Sequence, residues 1–244
     1  MQLKGRTILV TGGARRIGAA IVRAVASAGA NVVIHCNKSR TEAEALAEVI
    51  RAAGVGAWVV EADLAGPGAG DRLFNAALAA AGGRLDGVVN SASEYLESTV
   101  DTMTVADIER ECRIHVAAPL ELVRRLASMP GGDAKTAVNI LDARLGAGDP
   151  AHAAYMLAKQ SLAALTKTLA LEYAPRTRVN AVAPGAVLQA PGAPEAELKR
   201  LADFNPLKAV GNPAGLAECV LFLLRADFVT GQTLFYDSGY HLRH

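Results

Sequence analysis

Cysteine is scarce: Cys36, Cys112 and Cys219 are the only three in 244 residues, far apart and without a C-x-x-C pair. That spacing suits neither a disulfide framework nor a zinc site, so no metal is expected and a reducing, cytoplasmic compartment is. Aromatics are few at 5%, yet 51% of the residues are hydrophobic. This is enough for one large core in a chain whose length fits a single α/β domain spanning 1–244. No sign of charge prevails, since the formal net charge is +1 and the basic residues are spread along the chain. A nucleic-acid surface and a membrane-binding patch are therefore not expected. A secretory signal and a membrane span are also missing: Met1 to Val10 carries Lys4 and Arg6 and runs straight into a strand-like segment. No internal repeat is present.

What the chain does have is alternation. Short apolar, β-branched runs at Thr7–Val10, Val32–His35, Ala57–Glu61, Gly87–Asn90, Ala137–Leu141, Arg178–Ala183 and Thr233–Tyr236 read as strands. Longer stretches of helical period lie between them at Ile17–Ala28, Glu42–Ala53, Asp71–Ala80, Val105–Ser128, Ala153–Glu172 and Ala214–Leu224. Nearly continuous apolar strands separated by helices predict an α/β doubly wound parallel sheet of about seven strands, covered on both faces. Such sheets bind ligands beyond the carboxyl ends of their strands, where Thr11, Asn90, Asp142 and Pro184 all fall. The alternation breaks at 185–212, which holds Pro191, Pro194, Pro206 and one short helical stretch around Glu195–Asp203. A connection this long reads as a substrate-covering loop, with a variable surface excursion as the plain alternative.

Five places carry chemistry. Thr11-Gly12-Gly13-Ala14-Arg15-Arg16-Ile17-Gly18 joins the first strand to the first helix. Its glycines let the backbone approach a pyrophosphate, and the helix N-terminus offers N–H groups and a favourable dipole. After the second strand, His35-Cys36-Asn37-Lys38-Ser39-Arg40 has no acid before Glu42 to accept from a ribose 2′-OH. Lys38 and Ser39, with Arg15 in the facing turn, suit a 2′-phosphate instead, so NADPH/NADP+ is the expected cofactor and a solvated basic loop the alternative. Asp63 and Leu64 follow the third strand where an adenine would lie, and Asn90-Ser91-Ala92-Ser93 follows the fourth with small residues that permit close approach. Tyr155 and Lys159, four apart, share a helix face. An ammonium held beside the phenol favours phenolate, so the tyrosine is expected to exchange a proton nearer neutral pH.

Together with Asn180-Ala181-Val182-Ala183-Pro184-Gly185, Thr230-Gly231-Gln232 and Asp237-Ser238-Gly239, these segments resemble the short-chain dehydrogenase/reductase family over essentially the whole chain. The resemblance implies a single-domain Rossmann-type oxidoreductase, dimeric or tetrameric, with tyrosine as proton donor and lysine on the nicotinamide ribose. Two departures narrow it. Arg16 replaces the middle glycine of the family's turn, and Asp142 stands where the catalytic serine is usual, thirteen residues before Tyr155. Both features resemble the pteridine reductases, NADPH-dependent enzymes acting on pterins and folates. That resemblance implies Asp142, Tyr155 and Lys159 as the catalytic set. It implies Gly12, Arg15, Arg16, Ile17, Gly18, Asn37, Lys38, Ser39, Asp63, Leu64, Asn90, Ala92, Ser93, Pro184 and Gly185 around the cofactor. Arg16, Ser93, Tyr95, Asp142, Tyr155 and Leu188 would surround the substrate, Tyr95 by stacking on a flat ring.

The chemistry of Asp142 supports that reading, because a carboxylate there repels the alkoxide of an ordinary ketone reduction but accepts from pterin ring nitrogens and amino groups. A strand-end carboxylate paired with Arg144 is the structural alternative. His115 stands where the family often has a water-holding asparagine, and it reads equally as a satisfied core histidine. The family resemblance implies a homotetramer packed through the fourth and fifth helices and the apolar Phe222-Leu223-Leu224 stretch, and the likeness to pteridine reductases implies Arg243 or His244 of a neighbour lining the substrate site. The competing functions are an NADPH-dependent carbonyl or enone reductase and a catalytically weak NADP-binding regulator. Asp142 argues against the first, and an intact Tyr155–Lys159 pair against the second.

Overall fold

Successive residues of each strand point to opposite faces of the sheet, and because most of them are buried and apolar, helices cover both faces. The computed structural model describes residues 2–130, 134–189 and 195–243. In chain order these form β1 (Thr7–Val10), α1 (Arg16–Ser27), β2 (Asn31–Cys36), α2 (Arg40–Ala52), β3 (Ala57–Glu61), α3 (Ala69–Ala80), β4 (Gly87–Asn90) and α4 (Val105–Cys112). They continue as α5 (Ala118–Ala127), β5 (Lys135–Ile140), α6 (Ala153–Tyr173), β6 (Thr177–Pro184), α7 (Glu195–Asp203), α8 (Pro213–Arg225) and β7 (Thr233–Tyr236). Short 3-10 turns lie at Ala143–Leu145 and Tyr240–Arg243. The seven strands form one parallel sheet in the order β3-β2-β1-β4-β5-β6-β7. The crossover from β3 to β4 reverses the direction of growth, so the switch point lies between β1 and β4, where open α/β sheets bind ligands.

Alternation sorts the core into two layers. Ile8, Val10, Val32 and Ile34 pack on α1, α2 and α8 through residues such as Ile21, Leu46 and Leu216. Leu9, Val33 and Val88 point the other way, onto Leu73 and Phe74 of α3 and Leu122 of α5. Burying each such side chain fully is worth about 1.5–3 kcal/mol.

Three expectations are corrected. The helix read at Val105–Ser128 is interrupted by a π-helical turn at Arg113–Ala117. Pro119 follows it at the start of α5 and has no N–H to give the carbonyl four residues back, that of His115. In the Phe222-Leu223-Leu224 stretch, Leu223 and Leu224 are core residues and only Phe222 is exposed. Strand and helix ends otherwise shift by up to two residues, β5 for example ending at Ile140 rather than Leu141. The connection after β6 contains α7 as read, and it is held by Gly211 N–H to Ala186 O (2.9 Å) and Leu207 N–H to Ser238 O (3.2 Å). Pro191, Pro194 and His244 lie outside the described residues. No described helix is long and apolar enough to cross a membrane.

At the opposite, amino edge of the sheet Asp86 is buried and accepts from Arg6 (2.9 Å), Arg84 (2.8 Å) and the Thr7 N–H (2.9 Å). Burial alone would raise its carboxyl, but these bonds outweigh burial and hold it below the usual carboxylate range. A depressed carboxyl contributes stability above its unfolded value near ~4 and loses it as the pH falls through its folded value. Asp86→Ala is therefore expected to cost about 2–3 kcal/mol at pH 7, the low side for a buried ion pair because Arg84 is half exposed. Denaturant titration should show the difference between variant and parent shrinking below pH 4; an unchanged midpoint at pH 7 would contradict this role.

Candidate active site

The glycine turn is tied into the sheet by two side chains that sequence reasoning did not assign to the site. The Thr11 hydroxyl accepts from Ser91 N–H (2.9 Å) and Ala92 N–H (3.0 Å), stitching the end of β1 to the segment after β4. The buried His35 takes the Gly12 N–H on Nδ1 (3.1 Å) and donates from Nε2 to Ala62 O (3.0 Å). Burial lowers its pKa, which suits the neutral ring that this acceptor–donor pair requires. The Gly12 N–H is thereby used internally, and Gly12 serves by its shape. Its φ is +62°, and a Cβ there would lie 2.8 Å from the Ala92 Cα. A Cβ on Gly18 would lie 2.0 Å from the Gly12 carbonyl oxygen. The N–H groups without a helical partner belong to the first turn of α1, at Arg16, Ile17 and Gly18.

Arg16 adopts φ +53°, the left-handed region that the family's glycine occupies without strain. Its guanidinium donates to Gln189 O (2.6 Å), spanning from the turn to the covering segment. Arg15 pairs with Glu42 at 3.7 Å across two exposed side chains, while Lys38 is exposed and Ser39 precedes α2. Several residues assigned to the cofactor have other duties. Leu64 is core, Ile17 packs against the core, and Asp63 accepts from the Ala65 N–H (2.9 Å). The Asn90 amide donates to Asn139 Oδ1 (2.7 Å) inside the sheet, so its side chain is not turned to the groove. Ala92 and Gly185 remain close-approach positions, Gly185 following Pro184 with its missing Cβ 2.8 Å from Asp237. Ser93 is exposed and donates to Glu94 O (3.1 Å); Asn37 is half-buried; Leu188 is half-buried against the core.

At the centre, α6 presents Tyr155 and Lys159 on one buried face, as their spacing requires. The Tyr155 hydroxyl donates to Asp142 Oδ2 (3.1 Å), and the Lys159 ammonium donates to Ile140 O (2.8 Å) at the end of β5. The expectation of a phenolate is overturned. Burial first, and the Asp142 charge second, push the Tyr155 phenol well above its ordinary value, while Lys159 lies 5.5 Å from the ring centre and is spent on a carbonyl. Tyr155 is a neutral donor. Asp142 is paired with Arg144 through Nε to Oδ1 (2.9 Å) and a terminal nitrogen to Oδ2 (2.8 Å). Burial would raise this carboxyl, but the arginine fork prevails and keeps it below the usual range. The pairing with Arg144 is present, and the same carboxylate also faces the tyrosine.

Tyr95 meets Tyr155 edge-on, with ring centres 4.9 Å apart, and stacks on His152 at 3.6 Å. His115, on the π turn, is wholly buried with its ring edge-on to Tyr155 at 5.4 Å. Its Nε2 lies 3.2 Å from Glu94 O and 3.0 Å from the buried Glu111, and its Nδ1 has no hydrogen-bond partner. Burial, helped by the Lys159 charge, lowers its pKa to about 4, so it is neutral at working pH. The C-terminal turn of this same chain, Tyr240–Arg243, packs by the 3-10 turn that carries Arg144. No group of His, Cys, Asp and Glu among the described residues could hold a metal ion.

Burial lowers the Lys159 pKa to about 8. The ammonium is fully present below that value and is lost as the pH rises through it. Turnover and cofactor affinity are both expected to fall on the alkaline side with a midpoint near 8, read from the pH dependence of steady-state rates and of cofactor fluorescence. Rates and affinity level to pH 10 would exclude a working ammonium.

The family model described as enoyl-(acyl carrier protein) reductase matches residues 12–241. An uncharacterized oxidoreductase of Mycobacterium tuberculosis is 35% identical, covering 98% of this chain and 93% of the relative. The 3beta-hydroxysteroid dehydrogenase 1 of Eggerthella lenta is 33% identical, covering 97% and 94%. Among solved structures, FolM alternative dihydrofolate reductase 1 from Brucella canis, complexed with NADP, superposes with a TM-score of 0.92 at 36% identity, covering 99% of this chain and 96% of that one. With the seven-stranded parallel sheet, the glycine turn and the buried Tyr155–Lys159 pair, these matches make the chain a member of the short-chain dehydrogenase/reductase family of oxidoreductases.

Proposed function

We propose that this chain is an NADPH-dependent pteridine reductase that reduces oxidised or dihydro pterins and folates. The observation that carries the reading is the buried Tyr155–Asp142 hydrogen bond, which sets a carboxylate and a neutral phenol side by side between the end of β5 and α6, beside the Tyr95 ring. The likeness to the NADP-bound FolM protein supports it. The chain's residues fit the dinucleotide: Gly12 and Gly18 let the turn close tightly on the protein's own backbone, and the first turn of α1 has N–H groups to spare. Arg15, Lys38 and Ser39 are the candidates for a 2′-phosphate, Asn37 and Asp63 for the adenosine, and Lys159 for the nicotinamide ribose. NADPH, when bound, supplies the hydride.

Every other step falls to the chain. Tyr155 holds a proton at its hydroxyl. A ring nitrogen whose neighbouring carbon has gained hydride becomes far more basic than phenolate, so even a phenol of raised pKa gives that proton up. Asp142 orients the phenol before transfer and accepts from substrate N–H groups, and Lys159, protonated below about 8, offsets the charge left on Tyr155. Arg16 bridges to Gln189 and closes one side of the space, and Tyr95 offers an aromatic surface to a flat ring. The homotetramer belongs to this proposal, with Phe222 and the exposed Leu157 and Leu171 of α6 available at interfaces.

A second reading, NADPH-dependent carbonyl reduction, is favoured by the Arg144 fork. A carboxylate with its charge offset repels an alkoxide far less than a bare one, which weakens the objection raised by Asp142. The steroid dehydrogenase relative points the same way.

NADPH oxidation with biopterin, dihydrobiopterin, dihydrofolate and a set of ketones separates the two. Turnover of at least one pterin or folate well above every ketone is expected, with NADPH preferred over NADH by about tenfold or more. Good ketone reduction with no pterin or folate activity would leave the carbonyl reading standing instead. Tyr155→Phe should lower turnover by roughly 100-fold while NADPH binding is kept. Asp142→Ser should depress pterin reduction and hold or raise ketone reduction; equal loss on both substrates would remove the carboxylate from substrate choice.

A further inference from the structure

Arg144 touches more of this site than any residue assigned to it. Its backbone N–H and its Nε both donate to Asp142 Oδ1, each at 2.9 Å, and a terminal nitrogen donates to Oδ2 at 2.8 Å. The other terminal nitrogen donates to the Tyr95 hydroxyl (3.0 Å) and to Asp149 Oδ2. Asp149 Oδ2 also accepts from the Tyr95 hydroxyl (3.0 Å) and lies 2.8 Å from His152 Nδ1. His152 in turn stacks on the Tyr95 ring, 14° from parallel. The ring offered to substrate and the carboxylate facing Tyr155 thus belong to one hydrogen-bonded unit with a single guanidinium at its centre.

We propose that Arg144 is a positioning residue: its fork locks Asp142 in the one orientation that accepts from Tyr155, and its ion pair with Asp149 couples that orientation to the Tyr95–His152 stack. This rests on reading Asp142 and Tyr155 as the catalytic pair. The reasoning is geometric. Asp142 is nine-tenths buried, and a carboxylate there is free to rotate unless both oxygens are held. Among the described residues Oδ1 is held only by Arg144, and Oδ2 is shared between Arg144 and Tyr155. The other groups around it do not replace the fork. Lys159 of α6 acts on Asp142 through space but donates to Ile140 O. Tyr95 is neutral, His152 and Asp149 lie behind Arg144, and His241 in the C-terminal turn is paired with Asp237 at 2.7 Å. Arg243 is in the same turn.

Without the fork, burial wins and Asp142 takes up a proton at higher pH. Activity that needs the carboxylate is present above that point and is lost as the pH falls through it. In the unmutated enzyme this loss lies below the usual carboxylate range. Arg144→Met should carry the acid limb of the pH–turnover profile upward by about one pH unit or more relative to the parent. NADPH affinity, followed by its fluorescence, should stay within about twofold, because Arg144 is not among the cofactor's residues. Arg144→Lys keeps the charge without the fork, and should keep the limb near its parent position while turnover falls. Asp149→Asn should raise the KM of a flat aromatic substrate more than it lowers turnover.

If Arg144→Met does not fold, Arg144→Gln carries the same measurement. The test does not depend on the substrate being a pterin, since any panel compound that is turned over reports the limb. Should none be turned over, the carboxyl carbon resonance of Asp142 in the NADP+ complex, assigned with Asp142→Asn, reads the same midpoint. Superimposable pH profiles, or superimposable Asp142 titrations, for the parent and Arg144→Met would overturn the proposal.

Discussion

The parallel ladder between β1 and β4, closed at its carboxyl end by the Thr11 hydroxyl, is the constraint on which the rest of the site depends. It places the glycine turn and the segment after β4 side by side at the point where the sheet changes direction of growth. Thr11 is buried, and the two N–H groups it accepts would otherwise be unpaired at the sheet edge. Because Gly12 approaches Ala92 so closely, the spacing between the two segments is set by backbone contact and not by flexible side chains. His35 secures the other side of the same turn, so the dinucleotide groove is preorganised before anything binds.

Charge is the second organising factor. Asp142, Tyr155 and Lys159 are all buried, and three buried titratable groups are costly unless each has a partner. The structure answers with short-range bonds: an arginine fork on the aspartate, a carboxylate on the phenol and a carbonyl on the ammonium. The outcome is a site whose proton sits on the tyrosine and whose negative charge is balanced locally. That balance leaves a charge-compensated carboxylate beside a neutral phenol.

Much of this was legible in the chain. The doubly wound sheet followed from the alternation of apolar runs, because a two-residue strand period and a 3.6-residue helix period are local properties. The Tyr155–Lys159 face and the turn at Gly12–Gly18 were legible for the same reason, each being set by residues within one turn of each other. The break at Arg113–Ala117 was not read, although Pro119 was in view, because apolar periodicity continues across it. The acidity of Tyr155 was read in the wrong direction, since an ammonium one helical turn away matters less than burial and the direct contact with Asp142.

The amino-acid sequence by itself determined the order of elements, the residues at the carboxyl edge and the shared helix face of Tyr155 and Lys159, all consequences of short-range periodicity and turn chemistry. Tertiary structure alone decided which of those residues touch. Asn90 turned into the sheet toward Asn139, Leu64 joined the core, and Asp149 and His152 arrived beside Tyr95 from more than fifty residues away. Such contacts depend on how far each loop is drawn in when the core packs, and on which buried polar group finds a partner there. Neither quantity is carried by the spacing of residues along the chain.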